Sequence, residues 1–382
     1  MTASKKASPL FIVWIAILAL VILVGFYATY RLFTDGLGLL GLNNVMIWAL
    51  PTTAYIFFTG ASFGLCIVSS IGVLFGGKHI EPIAKRSVFL AIATMTGGLV
   101  ALVLHLGNPL NAFHLLLSPN LSSPFIWVTF FYAVYLVALV VEFVLLHRGN
   151  WSGTATKAFS LLALLAAFGF HSSVGSVFGL TASRPGYAGA INTIYFPLAA
   201  LVTGLALAIL FNLLFQILAN GELNDEQRDL YNWLASAFAL LLGILLLLTF
   251  WRTVTGLYGD GAGSEVFEHL FATAAFQFQL WLGQVVPFAM MVIPAIRKTA
   301  AGKIVATILV LLGMFVGRLE LVIAGLMVPV GPRAVEFPAF VEPNHTVWSW
   351  LVVAFCLAVA LLIYSLGEQY LNLSDAPEAT AH

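Results

Sequence analysis

Arg318 and Glu320 stand two residues apart in GMFVGRLELVIAG, inside an apolar run from 303 to 328. A guanidinium can hold an anion or a polar oxygen and a carboxyl can carry a proton, but in apolar surroundings each needs a partner or water. Both are therefore site candidates, with a structural ion pair as the competing reading. Residues two apart do not share a helix face, so their partners are expected on other helices. His171 and Ser172 lie in FGFHSSVGSVFG, where small residues permit close helix packing and polar side chains bond across helices. Their competing reading is packing alone. His105 in LVLHLGNPL is either a proton carrier, with an unperturbed pKa of about 6.5, or a neutral hydrogen-bond partner. Gln277, with Gln279 and Gln284, adds uncharged donors and acceptors, although any one of them reads as interhelical glue. Glu142 and Arg31 sit near the ends of two further apolar runs. Cys66 and Cys356 lie inside apolar runs with no CxxC or Cys/His partner nearby, which argues against a zinc or iron–sulfur site in this chain.

The elements that must position these groups follow from composition. Hydrophobic residues make up 61% of the 382 and charged residues 8%, against roughly 45–50% and 25% in an ordinary soluble domain. Mean hydropathy is +1.01. A hydrocarbon core about 30 Å thick needs about 20 apolar residues per helix. Apolar runs of that length predict about ten transmembrane helices near 10–33, 45–76, 87–106, 124–147, 158–181, 192–219, 233–258, 269–296, 303–328 and 347–370. The expected fold class is an all-α integral membrane protein, with 1–382 forming a single polytopic domain. The joints carry turn and cap residues and none is long enough for a folded soluble domain. Lys5 and Lys6 precede the first run, which lacks a small-residue cleavage site and reads as a retained span. Zero formal net charge shows no basic surface, so no nucleic-acid partner is expected.

Lys and Arg near span ends are retained on the cytoplasmic side. With the N-terminus inside, Lys5, Lys6, Lys78, Lys85, Arg86, Arg148, Lys157, Arg228, Arg297, Lys298 and Lys303 fall inside, against Arg31, Arg184, Arg252 and Arg333 outside. Both termini are thus expected in the cytoplasm, with the protein multi-pass in the cell inner (plasma) membrane. At 1.5 Å rise per residue, His105, His171, Gln277, Gln279, Arg31, Arg252 and Arg318 then fall in the outer half or near the midplane, and the inner half holds mainly Glu142. A polar cluster among wide apolar helices suits a lipid-soluble ligand with a polar head, such as a quinone. Tyr27, Tyr30, Trp48, Tyr55 and Trp127 are candidate lining residues, with interfacial anchoring as the competing role.

The segment GFYATYRLFTDGLGLLGLNNVMIWALPTTAYIFFTGASFG resembles the opening of the NrfD/PsrC family, the membrane subunits of polysulfide-reductase-like complexes. LVLHLGNPLNAFHLLLSPNLSSPFIW, FHSSVGSVFG and GRLELVIAGLMVP continue the match, and the HSS-x-GS run with ten spans looks most like the HybB-like ten-helix branch. The resemblance runs from about 25 to 366. It implies two four-helix bundles, near helices 2–5 and 6–9, with flanking helices. It also implies a subunit without its own haem or metal that passes electrons between the quinone pool, menaquinone or ubiquinone, and an iron–sulfur (ferredoxin-like) subunit on the outer face. That partner in turn serves a molybdopterin or hydrogenase catalytic subunit.

The chain departs from the family pattern at three places. His105 stands where many relatives carry an acidic residue, Asn108 where a basic one is frequent, and Leu326 where a glutamine is frequent. These changes leave open which group accepts the proton. Three further readings stay open: a haem b ligated by histidines such as His105 and His171, a secondary transporter whose helices break at Pro51, Pro197 or Pro287, and proton translocation through Glu142 and the Arg318/Glu320 pair.

Overall fold

The computed structural model describes residues 8–48, 50–77, 80–181, 183–184, 186–187, 189, 191–259, 262–331 and 334–374. Lys5, Lys6, Lys78 and Arg333, counted among the orienting charges, lie outside the described residues. Among the described residues ten helices are long and apolar enough to cross a membrane: α1 (Pro9–Asp35), α2 (Leu50–Phe75), α3 (Glu81–His105), α4 (Pro124–His147), α5 (Thr154–Gly179), α6 (Ile191–Asn220), α7 (Asp225–Leu257), α8 (Ala274–Val292), α9 (Ala300–Ala324) and α10 (Val347–Tyr370). The described residues contain no strand. Successive helices run antiparallel. One end of the molecule therefore gathers Pro9, His147 and Tyr370, and is called here the terminal end. The opposite, distal end gathers Asp35, His105 and Val347.

Several starts follow from local capping chemistry. Ser8 Oγ accepts the Phe11 N–H at 3.2 Å before α1, with Pro9 in the first turn. α2 begins at Leu50 rather than 45, because Asn43 Oδ1 accepts from both Val45 and Met46 N–H at 2.8 Å and holds that stretch as a turn. α7 begins at Asp225, well before 233, through a reciprocal capping box between Asn224 and Gln227. Its first two turns are polar, so hydropathy alone does not register them.

The region expected as one helix over 269–296 is divided. A short helix, Ala262–Phe271, is followed by α8, whose middle, Phe278–Val285, winds as a π-helix before Pro287. Pro287 supplies no N–H to the preceding turn, which favours such a register change. A Cβ at Gly283 would lie 2.5 Å from the Gly313 Cα, so α8 and α9 touch backbone to backbone. Pro51 falls at the second position of α2, where it breaks nothing, and Pro197 lies inside α6.

α2, α3, α4 and α5 pack together, as do α6, α7, α8 and α9. The two bundles meet along α2 and α6, where a Cβ at Gly64 would lie 2.4 Å from the Ala200 carbonyl oxygen. α10 packs on α3, and α1 lies outside it. The Trp14 indole donates to Ser365 Oγ at 2.9 Å, and the Arg31 guanidinium lies 5.2 Å from the Trp348 ring centre. Most of the remaining α1 surface is exposed and apolar, as a lipid-facing helix requires.

Candidate functional site

At the distal end of the first bundle α3 stops at His105, and Gly107, at φ +66, turns the chain into the short helical segment 109–117. That segment borders a cavity of about 380 Å³ between α2, α3, α4 and α5. Its size falls in the range of sites for small organic ligands. Thr52, Tyr55, His105, Asn108, Asn111 and Thr129 supply polar groups, while Trp48, Val174, Val177 and Phe178 are among the larger apolar share of the wall. His105 Nδ1 lies 3.2 Å from the Thr52 hydroxyl, and Nε2 makes no hydrogen bond within the described residues. The arrangement offers one oriented imidazole and several uncharged hydrogen-bonding groups on an otherwise apolar surface.

His171 does not line this cavity. It lies one turn deeper than Val174 on α5, 1% exposed, stacked on Phe63 with ring centres 4.8 Å apart. Neither ring nitrogen has a hydrogen-bond partner among the described residues, and a Cβ at Gly60 would lie 3.5 Å from Nε2. Ser172 is half-buried beside it, and its carbonyl accepts from Ser176 Oγ at 2.8 Å. Deeper in the same bundle the Tyr135 hydroxyl meets Ser62 Oγ at 2.9 Å, and Ser160 donates to Ser70 at 3.4 Å. Ser69 donates to Glu142 Oε1 at 3.3 Å, and Glu142 Oε2 is buried without a partner. A discontinuous row of hydroxyls thus leads from mid-bundle to a carboxyl near the terminal end.

The second bundle holds a different set. Arg318 on α9 is 3% exposed. It donates to the Phe196 carbonyl at 3.3 Å, lies 4.6 Å from the Phe196 ring centre, and has an unpartnered Nη1. Glu320, 5% exposed, accepts from Thr273 Oγ1 at 3.3 Å, with Oε2 unpartnered. The two side chains therefore use different helices, α6 for the arginine and the start of α8 for the carboxyl. Arg252 of α7 lies within electrostatic range of both, and Arg318 within that of His171 across the seam between bundles. Gln284 accepts from Thr249 at 2.9 Å, and Gln279 packs against Gly317.

Two of the predicted positions are peripheral. Gln277 Nε2 donates to the Phe271 carbonyl at 2.7 Å and its Oε1 accepts from Trp281, so it closes the joint before α8. Arg31 pairs with Asp35 on the exposed side of α1 at 2.6 Å. Trp48 and Tyr55 line the cavity, whereas Tyr27, Tyr30 and Trp127 are exposed. Thr52, Asn111 and Thr129 escaped the sequence reading, because an isolated hydroxyl or amide near a helix end carries no periodic signal. Among the described residues no group of three or more His, Cys, Asp or Glu is placed to hold a metal ion.

The charges assigned to loops need one revision. Lys85 and Arg86 lie in the first two turns of α3, each 1% exposed, and Lys303 is 2% exposed with Nζ donating to Asn232 Oδ1 at 2.9 Å. Arg86 pairs with Glu368 of α10, donates to Asn212 of α6 at 3.0 Å and to Ser374 at 2.9 Å. Lys85 donates to the Asn372 carbonyl. These cations anchor helices rather than decorate a surface.

Comparison with known proteins gives a family match and relatives aligned over most of their length. The family model described as "Polysulphide reductase, NrfD" matches residues 38–330. A selenate reductase subunit of Mesobacillus selenatarsenatis is 25% identical over 87% of this chain and 83% of its own length. The Hdr-like menaquinol oxidoreductase integral membrane subunit of Archaeoglobus fulgidus is 26% identical over 94% and 92%. The menaquinone reductase integral membrane subunit of Nitratidesulfovibrio vulgaris is 25% identical over 95% and 92%.

Proposed function

This chain belongs to the NrfD polysulphide reductase family, and from that premise we propose that it is the quinone-reactive membrane subunit of a multi-subunit respiratory oxidoreductase. The observation that carries the reading is the cavity of about 380 Å³ in the distal half of the first bundle. A quinone head group has two carbonyl oxygens that accept hydrogen bonds, and its quinol has two hydroxyls that donate them. His105 matches both states, because a neutral imidazole has one donor and one acceptor nitrogen and Thr52 engages Nδ1. In this reading Trp48, Val177 and Phe178 flank the ring with apolar surface. The names of the relatives support the assignment, since two of them are described by menaquinone or menaquinol chemistry.

Oxidation of a quinol releases two electrons and two protons, and reduction takes up the same. The electrons pass to or from an iron–sulfur subunit docked on the distal face, and through it a molybdopterin or hydrogenase catalytic subunit. The protons pass through His105 at the cavity. Within the bundles, the hydroxyl row to Glu142 and the Arg318/Glu320 set are the groups able to move a proton further, and in this reading they couple quinone chemistry to proton translocation. Described cations on the terminal side, including Arg148, Lys157, Arg228, Arg297 and Lys298, support a cytoplasmic terminal end and an external distal end.

Quinol-linked turnover of the purified complex tests the assignment. Replacing His105 by Ala and Thr52 by Val is expected to raise the KM for quinol about tenfold each, about 1.4 kcal/mol. Dye-linked activity of the catalytic partner should be unchanged. Wild-type KM in both variants contradicts the site.

A further inference from the structure

Arg252 is buried to 9% exposure, yet no carboxylate lies within ion-pair distance of it among the described residues. Among the described residues its guanidinium meets two ring faces, Tyr195 at 5.4 Å and Phe267 at 5.6 Å. A cation taken out of water without hydrogen-bond acceptors is expensive, so such groups are normally paired. Here the missing partner has a place to sit. Arg252 lines a cavity of about 220 Å³ with Gly186, Gly189, Asn192, Thr255 and Gly256, and among the described residues no acidic side chain is in that wall. Roughly 10–15 Å³ suffices for one water, so the space is many times larger than a single water needs.

Three further features of the wall point the same way. α6 begins at Ile191, itself a lining residue, and brings the positive end of a 30-residue helix to the cavity, its Asn192 N–H already donating to the Gly189 carbonyl at 3.2 Å. The glycines expose backbone without side chains. Asn192 is 3% exposed, and its Oδ1 is buried without a donor while its Nδ2 is used by the Tyr187 carbonyl at 2.9 Å. Arg318 adds a second buried positive charge at longer range, against the single carboxyl of Glu320. Arg252 is also five residues from the end of α7, about 7–8 Å below it at 1.5 Å per residue, toward the distal end of the span.

We propose that this cavity between α6, α7 and the Ala262–Phe271 helix is a binding site for a phosphate-type oxyanion, held by the Arg252 fork and the α6 N-terminus. A guanidinium grips such an anion through two parallel N–H bonds, and a hydroxyl carried by the same ligand satisfies Asn192 Oδ1. The source is either the phosphodiester of an anionic phospholipid or free inorganic phosphate. The site lies in the second bundle and is separate from the cavity lined by His105.

The test uses the purified complex, delipidated in detergent and then given dioleoylphosphatidylglycerol, dioleoylphosphatidylcholine or inorganic phosphate. Retained phosphorus and thermal stability are measured for wild type, R252Q and R252K. Wild type is expected to retain one equivalent more of phosphatidylglycerol than R252Q and to melt several degrees higher with it, with R252K intermediate and phosphatidylcholine inert. Retention of inorganic phosphate in place of the lipid assigns the free anion. Should R252Q fail to fold, wild type alone decides. Wild-type protein that retains neither compound above the phosphatidylcholine control, or equal retention by folded R252Q, overturns the proposal.

Discussion

Arg86 and Arg318 are buried almost equally, at 1% and 3% exposure, but their surroundings are opposite. Arg86 at the terminal end has an acceptor for every nitrogen. Glu368 takes Nε, Asn212 takes Nη1, Ser374 and Glu368 take Nη2, and the Phe215 ring lies 3.9 Å from the guanidinium. Tyr364 completes Glu368 at 2.5 Å. Arg318 in the distal half has a single bond to a carbonyl, an unpartnered Nη1, and a neighbouring carboxyl, Glu320, that is itself half satisfied. A fully bonded buried pair resists change and ties three helices and Ser374, just after α10, together. A half-bonded one keeps free valences for something that comes and goes. Burial alone therefore does not distinguish the two arginines; the count of unmet hydrogen bonds does, and the proposal that Arg318 takes part in turnover rests on that difference.

Breaking the terminal-end pair should have the largest effect of all. R86Q or E368Q leaves an uncompensated buried group, a change that costs about 3–5 kcal/mol. Thermal melting in detergent should show a large destabilisation, with near-normal quinol turnover in whatever protein remains folded. The distal half should respond in the reverse sense. R318Q is expected to lower quinol-linked turnover at least tenfold while melting stays within a few degrees of wild type. Unfolding of R318Q, or silence of R86Q in the melt, would erase the contrast.

Glu142 gives a subtler comparison, since it shares the unmet oxygen of Glu320 but lies toward the terminal end. E142Q keeps the acceptor for Ser69 and removes the exchangeable carboxyl proton. Proton uptake per electron in liposomes should fall several-fold, with electron transfer less affected. The smallest effect belongs to Arg31 and Asp35, an exposed pair one turn apart on α1. R31Q should leave melting and turnover unchanged, because water replaces the partner.

The spans themselves were legible because each carries a long apolar run, and α4 and α10 have the expected bounds. The polar first turns of α7 and the break before α8 were not, since one depends on a capping box and the other on a backbone register shift. In the site, His105 stood out as a rare imidazole near a helix end beside a Gly-Asn-Pro turn. Thr52 did not, because threonine is common in apolar helices and acquires meaning only through its distance to His105. The pairing of Arg86 with Glu368 spans 282 residues and arises only when α10 packs back on α3. Read along the chain, Arg86 was one more loop charge. His105 and His171 looked like one site by depth, but they lie on different layers of the bundle.

Photoaffinity labelling of the intact complex with an azido-quinone, followed by peptide mapping, addresses the central claim most directly. The account predicts label on the residues surrounding His105, in the 105–129 segment and the facing turns of α2 and α5, and loss of that label in H105A. Labelling confined to α6–α9 would contradict it.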